Sequence, residues 1–195
     1  MRSVLIVAVL CLGTVAYGLP IGGSVSLSFV EMEALNEQLA ALASRQGVGY
    51  NPLRLAPEIC GEIWPWPWLG ARCSLVWASG SIQDRQGITA LACGVMAASK
   101  FRLPVWASEL EAGLGLCRAS VSGIVEGQGW GFCGGVSMQV PIISWMGVEL
   151  SGEFGFRYMA IPALTGPRGT LSLQGGPAVD FSGMLIGASI QWTTR

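Results

Sequence analysis

The feature that most constrains this chain is a two-residue alternation of apolar with polar or very small side chains, repeated along most of its length. Across residues 145–159, Met146, Val148, Leu150, Phe154, Phe156 and Tyr158 share one parity, and Gly147, Glu149, Ser151, Glu153, Gly155 and Arg157 share the other. A period of two puts alternate side chains on opposite faces of a β-strand, so one face is greasy and the other polar or tiny. The same reading applies to residues 21–29, 69–77, 110–116, 132–140 and 184–192, and more weakly to 57–64 and 88–101, giving eight predicted strands.

Composition narrows what such strands can build. Of 195 residues, 51% are hydrophobic and 12% charged, against roughly a quarter charged in an ordinary soluble domain. The length suits one domain, and the apolar content excludes disorder. With 11 Lys+Arg against 12 Asp+Glu and no basic cluster, nucleic acid is not an expected partner. The chain has no histidine, which removes imidazole bases, Ser–His and Cys–His nucleophile pairs, and His-ligated metals. Gly129, Gly131 and Gly134 fit G-x-G-x-x-G, but this run leads into a predicted strand, whereas a dinucleotide fingerprint must open a helix. No C-x-x-C spacing occurs either, so no cofactor and no metal site are expected, and the chain reads as a non-enzyme.

The N-terminus has the three-part form of a secretory signal: Arg2, an apolar stretch over residues 4–16, then Ala16 and Gly18 before a cut at Leu19. The stretch is shorter than the roughly 20 residues a spanning helix needs. Residues 1–18 are therefore expected to be a cleaved signal peptide and 19–195 a single exported domain. Loss of Arg2 with the signal leaves 10 basic and 12 acidic residues.

No run of 18 apolar residues follows, which disfavours a helical membrane protein. The connections and the tryptophans point elsewhere. Tight turns are expected at residues 65–68, 102–105 and 141–144, after the second, fourth and sixth strands. Longer connections, at 30–56, 80–87, 121–129 and 160–178, follow the odd-numbered ones. Trp64, Trp66, Trp68, Trp106, Trp145 and Trp192 gather at the tight-turn rim, with Trp77, Trp130 and Tyr158 at the opposite strand ends. Indole prefers a membrane–water interface, so two aromatic bands a strand length apart read as girdles. An even number of strands with short turns on one rim describes an all-β, eight-stranded, antiparallel up-and-down transmembrane barrel.

In these features residues 20–195 resemble the small eight-stranded outer-membrane barrels of OmpA/OmpX-like architecture. No shared signature motif carries a functional residue across. The resemblance implies residence in the outer membrane of a diderm bacterium, with membrane lipids and the barrel-assembly machinery as partners. One departure is that Trp192 is followed by Thr193, Thr194 and Arg195, where such barrels commonly end on an aromatic.

A helix over residues 29–46 breaks the alternation, between strands one and two. Met32, Leu35, Leu39 and Leu42 form its apolar stripe, Ser28 with Glu31 a capping box, and Gly47 a stop. It is expected either to lie over or in a lumen left roomy by Gly, Ser and Ala, or to rest on the membrane surface. Inward parity falls on Glu58, Glu62, Glu109, Glu111, Glu149 and Glu153 against Arg72, Lys100 and Arg157. Hairpin spacing sets Glu62 opposite Arg72 and Lys100 near Glu109. Such charges serve either as structural salt bridges or as an acidic, cation-favouring path. Spacing also makes Cys73 with Cys93, and Cys117 with Cys133, candidate disulfides, leaving Cys60 over. The expected function is thus a structural or surface-interaction barrel, or a narrow small-solute channel. The alternative is a secreted lipocalin-like barrel with the greasy face inward, around an apolar ligand.

Overall fold

The computed structural model describes residues 20–30, 32–82, 86–106, 108–167, 169–172 and 176–192. The expected signal peptide over residues 1–18, Glu31 and residues 193–195 lie outside them. Eight long strands form the wall: β1 (Ile21–Val30), β2 (Leu55–Trp66), β3 (Leu69–Ile82), β4 (Gln86–Arg102), β5 (Glu109–Gly123), β6 (Gly127–Trp145), β7 (Val148–Ile161) and β8 (Gly183–Trp192). Each pairs antiparallel with its chain neighbours, and β1 pairs with both β2 and β8, with Ile21 opposite Ile63 and Trp192, so the barrel is closed. Closure removes the unpaired edges that an open sheet would expose.

The alternation sorts the faces as the sequence predicts. Val25, Val95, Leu114, Phe132, Phe154, Phe156 and Ile186 face outward and are exposed, while Ser24, Glu58, Arg72, Glu111, Ser151 and Arg157 are buried inside. A lipocalin-like barrel would need the opposite facing.

Three connections differ from expectation. Residues 141–144 are not a turn. They lie in β6, where the register shifts between Pro141 and Ile143, because a proline that cannot donate to the ladder is accommodated at a bulge. The turn comes at Met146 and Gly147, both at positive φ (48° and 81°), the backbone of a type I′ hairpin. After β3 and β5 the chain does not wander: only residues 83–85 and 124–126 separate the strands, because pairing continues past the apolar band.

At this loop end three short ladders extend the wall. Ala163–Gly166 pairs with Gly169–Ser172, Tyr50–Asn51 lies against β3, and Val179–Asp180 against β7.

Helix α1 spans Glu33–Arg45, shorter than the predicted 29–46. Phe29 and Val30 stay in β1, and Ser28 is an inward strand residue opposite Leu185 and Ala56, so the capping box does not form. The N-cap is Met32, at φ 40° with no side-chain cap. Its buried side chain anchors that unusual turn. Gly47, at φ 67°, ends the helix as expected. The buried face is Met32, Leu35, Leu39 and Ala43, whereas Leu42 points outward.

Met32, Leu35 and Leu39 join one apolar cluster with Leu53, Phe181, Val76, Ala78, Ala92, Ala119, Val121, Met159 and Ile161, so α1 is a lid continuous with the upper lumen. Asn36 fastens it, accepting hydrogen bonds from the Tyr50 hydroxyl and the Leu53 N–H (3.0 Å) and donating to the Leu53 carbonyl (3.0 Å). Burial pushes the Tyr50 phenol above its usual pKa range.

Candidate functional site: the charged half of the lumen

Below the apolar cluster, toward the tight turns, the inward positions carry charge. Arg72 on β3 is the hub. Its Nη1 lies 3.1 Å from Glu111 on β5, 3.0 Å from Glu153 on β7 and 3.8 Å from Glu62 on β2. Its Nη2 donates to Ser24 on β1 (3.1 Å) and its Nε to the Cys60 sulfur on β2 (2.7 Å). The guanidinium fork presents donors in several directions at once, so one side chain ties five strands.

Two smaller clusters flank it. Arg157 on β7 reaches Glu58 at 2.6 Å and donates twice to the Phe181 carbonyl (3.1 and 2.9 Å), while Ser26 donates to the same Glu58 oxygen (3.2 Å). Lys100 lies 3.4 Å from Glu62 and 3.8 Å from Glu109, with its ammonium 4.0 Å from the Trp64 ring centroid. Gln139 donates to Glu111 (3.2 Å) and accepts from Gln191 (2.8 Å).

Of the nine inward charges singled out in the sequence, eight enter this network. Glu149 stays half-buried at the rim, where it accepts from Ser151 (3.1 Å). Glu62 and Arg72 are register partners, but Lys100 stands opposite Glu111, with Glu109 opposite Arg102 and reached diagonally.

Trp64 is a correction: it is no interface aromatic. It shares the inward parity of Glu58, Cys60 and Glu62, is 4% exposed, and donates its indole N–H to Glu62 (3.0 Å). Trp66, Trp68, Trp106, Trp130, Trp145, Tyr158 and Trp192 are exposed and Trp77 partly so. Parity also held the clue to Ser24, Ser26, Gln139 and Gln191, which sequence reasoning passed over. The Phe181 carbonyl had none, since it depends on how residues 176–182 fold back over β7.

The five described cysteines, Cys60, Cys73, Cys93, Cys117 and Cys133, are thiols in this structure. Each hairpin turns one residue away from the centre of its cysteine pair, so Cys73 faces Val95 and Cys117 faces Gly131. The members of each pair are diagonal neighbours on adjacent strands, Cys93 with Cys73 and Cys117 with Cys133. Cys60, left over in the sequence, is the sulfur that accepts from Arg72.

Small residues do not leave the lumen roomy. Arg72, Arg157, Gly113 and Gly135 line a cavity of about 20 Å³, room for roughly one water. Four carboxylates more than nine-tenths buried, Glu58, Glu62, Glu111 and Glu153, face three equally buried cations, Arg72, Lys100 and Arg157. Ion pairing at this depth is structural chemistry: each charge has its partner in the wall. Among the described residues no group of three His, Cys, Asp or Glu is placed to hold a metal.

The fold is the eight-stranded antiparallel barrel of OmpA/OmpX-like architecture. Among solved structures, Neisserial surface protein A (NspA) is similar at a TM-score of 0.54 and 10% identity, over 90% of this chain and 97% of that one. Ail, the attachment invasion locus protein of Yersinia pestis, solved with the heparin analogue sucrose octasulfate, is similar at a TM-score of 0.48 and 12% identity, over 89% and 97%. No protein-family model matches the chain, and no curated protein matches its sequence.

Proposed function

We propose that this chain is a non-enzymatic barrel of a diderm outer membrane, exported by its signal peptide and assembled by the barrel-insertion machinery. Its lumen stays closed, and it serves as a structural and surface-interaction protein. The tight turns then face the periplasm, and α1 with the short ladders faces outside. The carrying observation is the filled lumen: the lid and apolar cluster occupy one half, and the Arg72 and Arg157 clusters occupy the other. An exterior of exposed Leu, Val, Ile and Phe between aromatic rims supports the membrane placement.

The test is conductance in planar bilayers. The intact mature chain is expected to be silent, and so is a variant lacking residues 33–45, because the salt-bridged half remains closed without the lid. Steady cation-selective current from the intact chain would instead favour the channel reading.

A further inference from the structure

One charge stands apart from the pattern that sorts this barrel. Among the outward-facing described positions of the eight strands, Arg118 on β5 is the single charged residue, exposed between the buried Cys117 and Ala119. A lone cation on an apolar wall is costly at mid-membrane, so its height decides what it does.

Along β5 the outward residues below it are Leu110, Ala112, Leu114 and Leu116, and those above are Ser120 and Ser122. On β6, Trp130 stands opposite Arg118, with Phe132 and Val136 below and Gln128 above. Eight residues from Leu110 to Arg118, at about 3.3 Å each and a tilt of about 40°, climb about 20 Å, against an apolar band about 25 Å tall. With Leu110 at the lower edge, Arg118 lies about 5 Å below the upper edge of that band, and its flexible stem carries the guanidinium up to headgroup height at the loop end.

The side chain is held there. Its guanidinium lies 5.5 Å from the Trp130 ring centroid, and an Nη2 N–H donates to Gln128. That uses one of five donors and leaves the others to the outside. Directly above, Ser120, Gln128 and Thr165 line an open groove of about 420 Å³ with Gly127, Gly166 and Pro167. The nearest acid on the loop side, Glu126, lines a neighbouring groove with Val125 and Leu171 that meets this one at Pro167. A braced guanidinium at headgroup height, beneath neutral hydroxyl and amide groups, is suited to a phosphate oxygen cluster.

Resting on the membrane placement above, we propose that Arg118, with Trp130, Gln128, Ser120 and Thr165, binds the phosphate of an anionic lipid headgroup in the leaflet at the loop end.

The experiment places the mature chain in phosphatidylcholine vesicles and measures the immobilised fraction of spin-labelled phosphatidic acid against spin-labelled phosphatidylcholine. Folding and insertion are checked separately by heat-modifiable gel migration. A phosphatidic acid preference of about threefold is expected, within what an exposed ion pair supplies. Arg118→Gln should lose it, Arg118→Lys should keep part of it, and Arg102→Gln, which removes the same charge from the turn end, should leave it intact. Equal preference in the wild type and Arg118→Gln overturns the proposal, as does equal loss in Arg102→Gln, which would reveal only bulk electrostatics. Abolition by excess inorganic phosphate would mark a free-anion site and overturn the lipid assignment. A chain that folds but does not insert fails at the membrane placement itself, and the lipid site falls with it.

Discussion

The two halves of the lumen are built on the same strands and the same parity, yet they are filled by different physics. On β3 the inward series runs Arg72, Ser74, Val76, Ala78, and on β7 it runs Glu153, Gly155, Arg157, Met159, Ile161. Toward the loops, small aliphatic side chains and the face of α1 exclude water, and their contribution grows with the area buried. Toward the turns, long charged side chains meet across the lumen, and their worth depends on every partner being present. The contrast teaches that a narrow barrel can be closed by dry packing or by ion pairing, and that the two halves should fail differently.

Removing the hub should have the largest effect. Arg72→Met leaves Glu62, Glu111 and Glu153 without their shared cation, a loss of about 3–5 kcal/mol for a broken buried pair. Urea unfolding in lipid or detergent would measure it. The sharper form adds Glu111→Gln and Glu153→Gln, which should recover much of that loss, since the penalty lies in the stranded charges. A triple variant no more stable than Arg72→Met would erase the distinction between the halves.

In the dry half, Leu39→Ala should cost about 2–4 kcal/mol through lost transfer and a residual cavity. No second substitution that merely changes charge should restore it. The same unfolding assay reads this, and recovery by a distant charge change would show the halves to be one network.

The smallest effect belongs to the fastening of the lid. Tyr50→Phe removes the hydroxyl that bonds Asn36, at about 1 kcal/mol. Because burial raises the folded-state pKa of Tyr50, its contribution is complete below the unfolded value near 10 and declines as pH rises through the folded value. Protease nicking around α1 should therefore increase at alkaline pH in the wild type, and the Phe variant should show no such tyrosine-dependent step.

Much of this architecture was legible in the alternation, because parity alone decides which side chains a closed sheet can hide. Eight strands, the outward greasy face and the inward charges all follow from it, and so would the inward Trp64 had rim position not been weighed above parity. What escaped was whatever depends on distance across the barrel. The reach of Arg72 to Glu153, 81 residues away, depends on closure and tilt, which no local pattern encodes. The start of α1 was misplaced because Ser28 and Glu31 have the spacing of a cap, whereas pairing with two neighbours holds β1 extended to Val30. The hairpin centres missed by one residue, enough to turn directly opposed cysteines into diagonal neighbours.

The hub also bears on the order of assembly. Arg72 draws on Ser24 in the first strand and Glu153 in the seventh, so its partners meet only after the last strands have been made and the sheet has curled shut. Until then each carboxylate is better solvated by water than by an incomplete set of neighbours. A half-curled sheet therefore gains nothing from these charges, and the final joining of β1 to β8 collects their attraction all at once. Closure is in this sense a latch: partial forms stay open and hydrated, and the completed ring resists reopening.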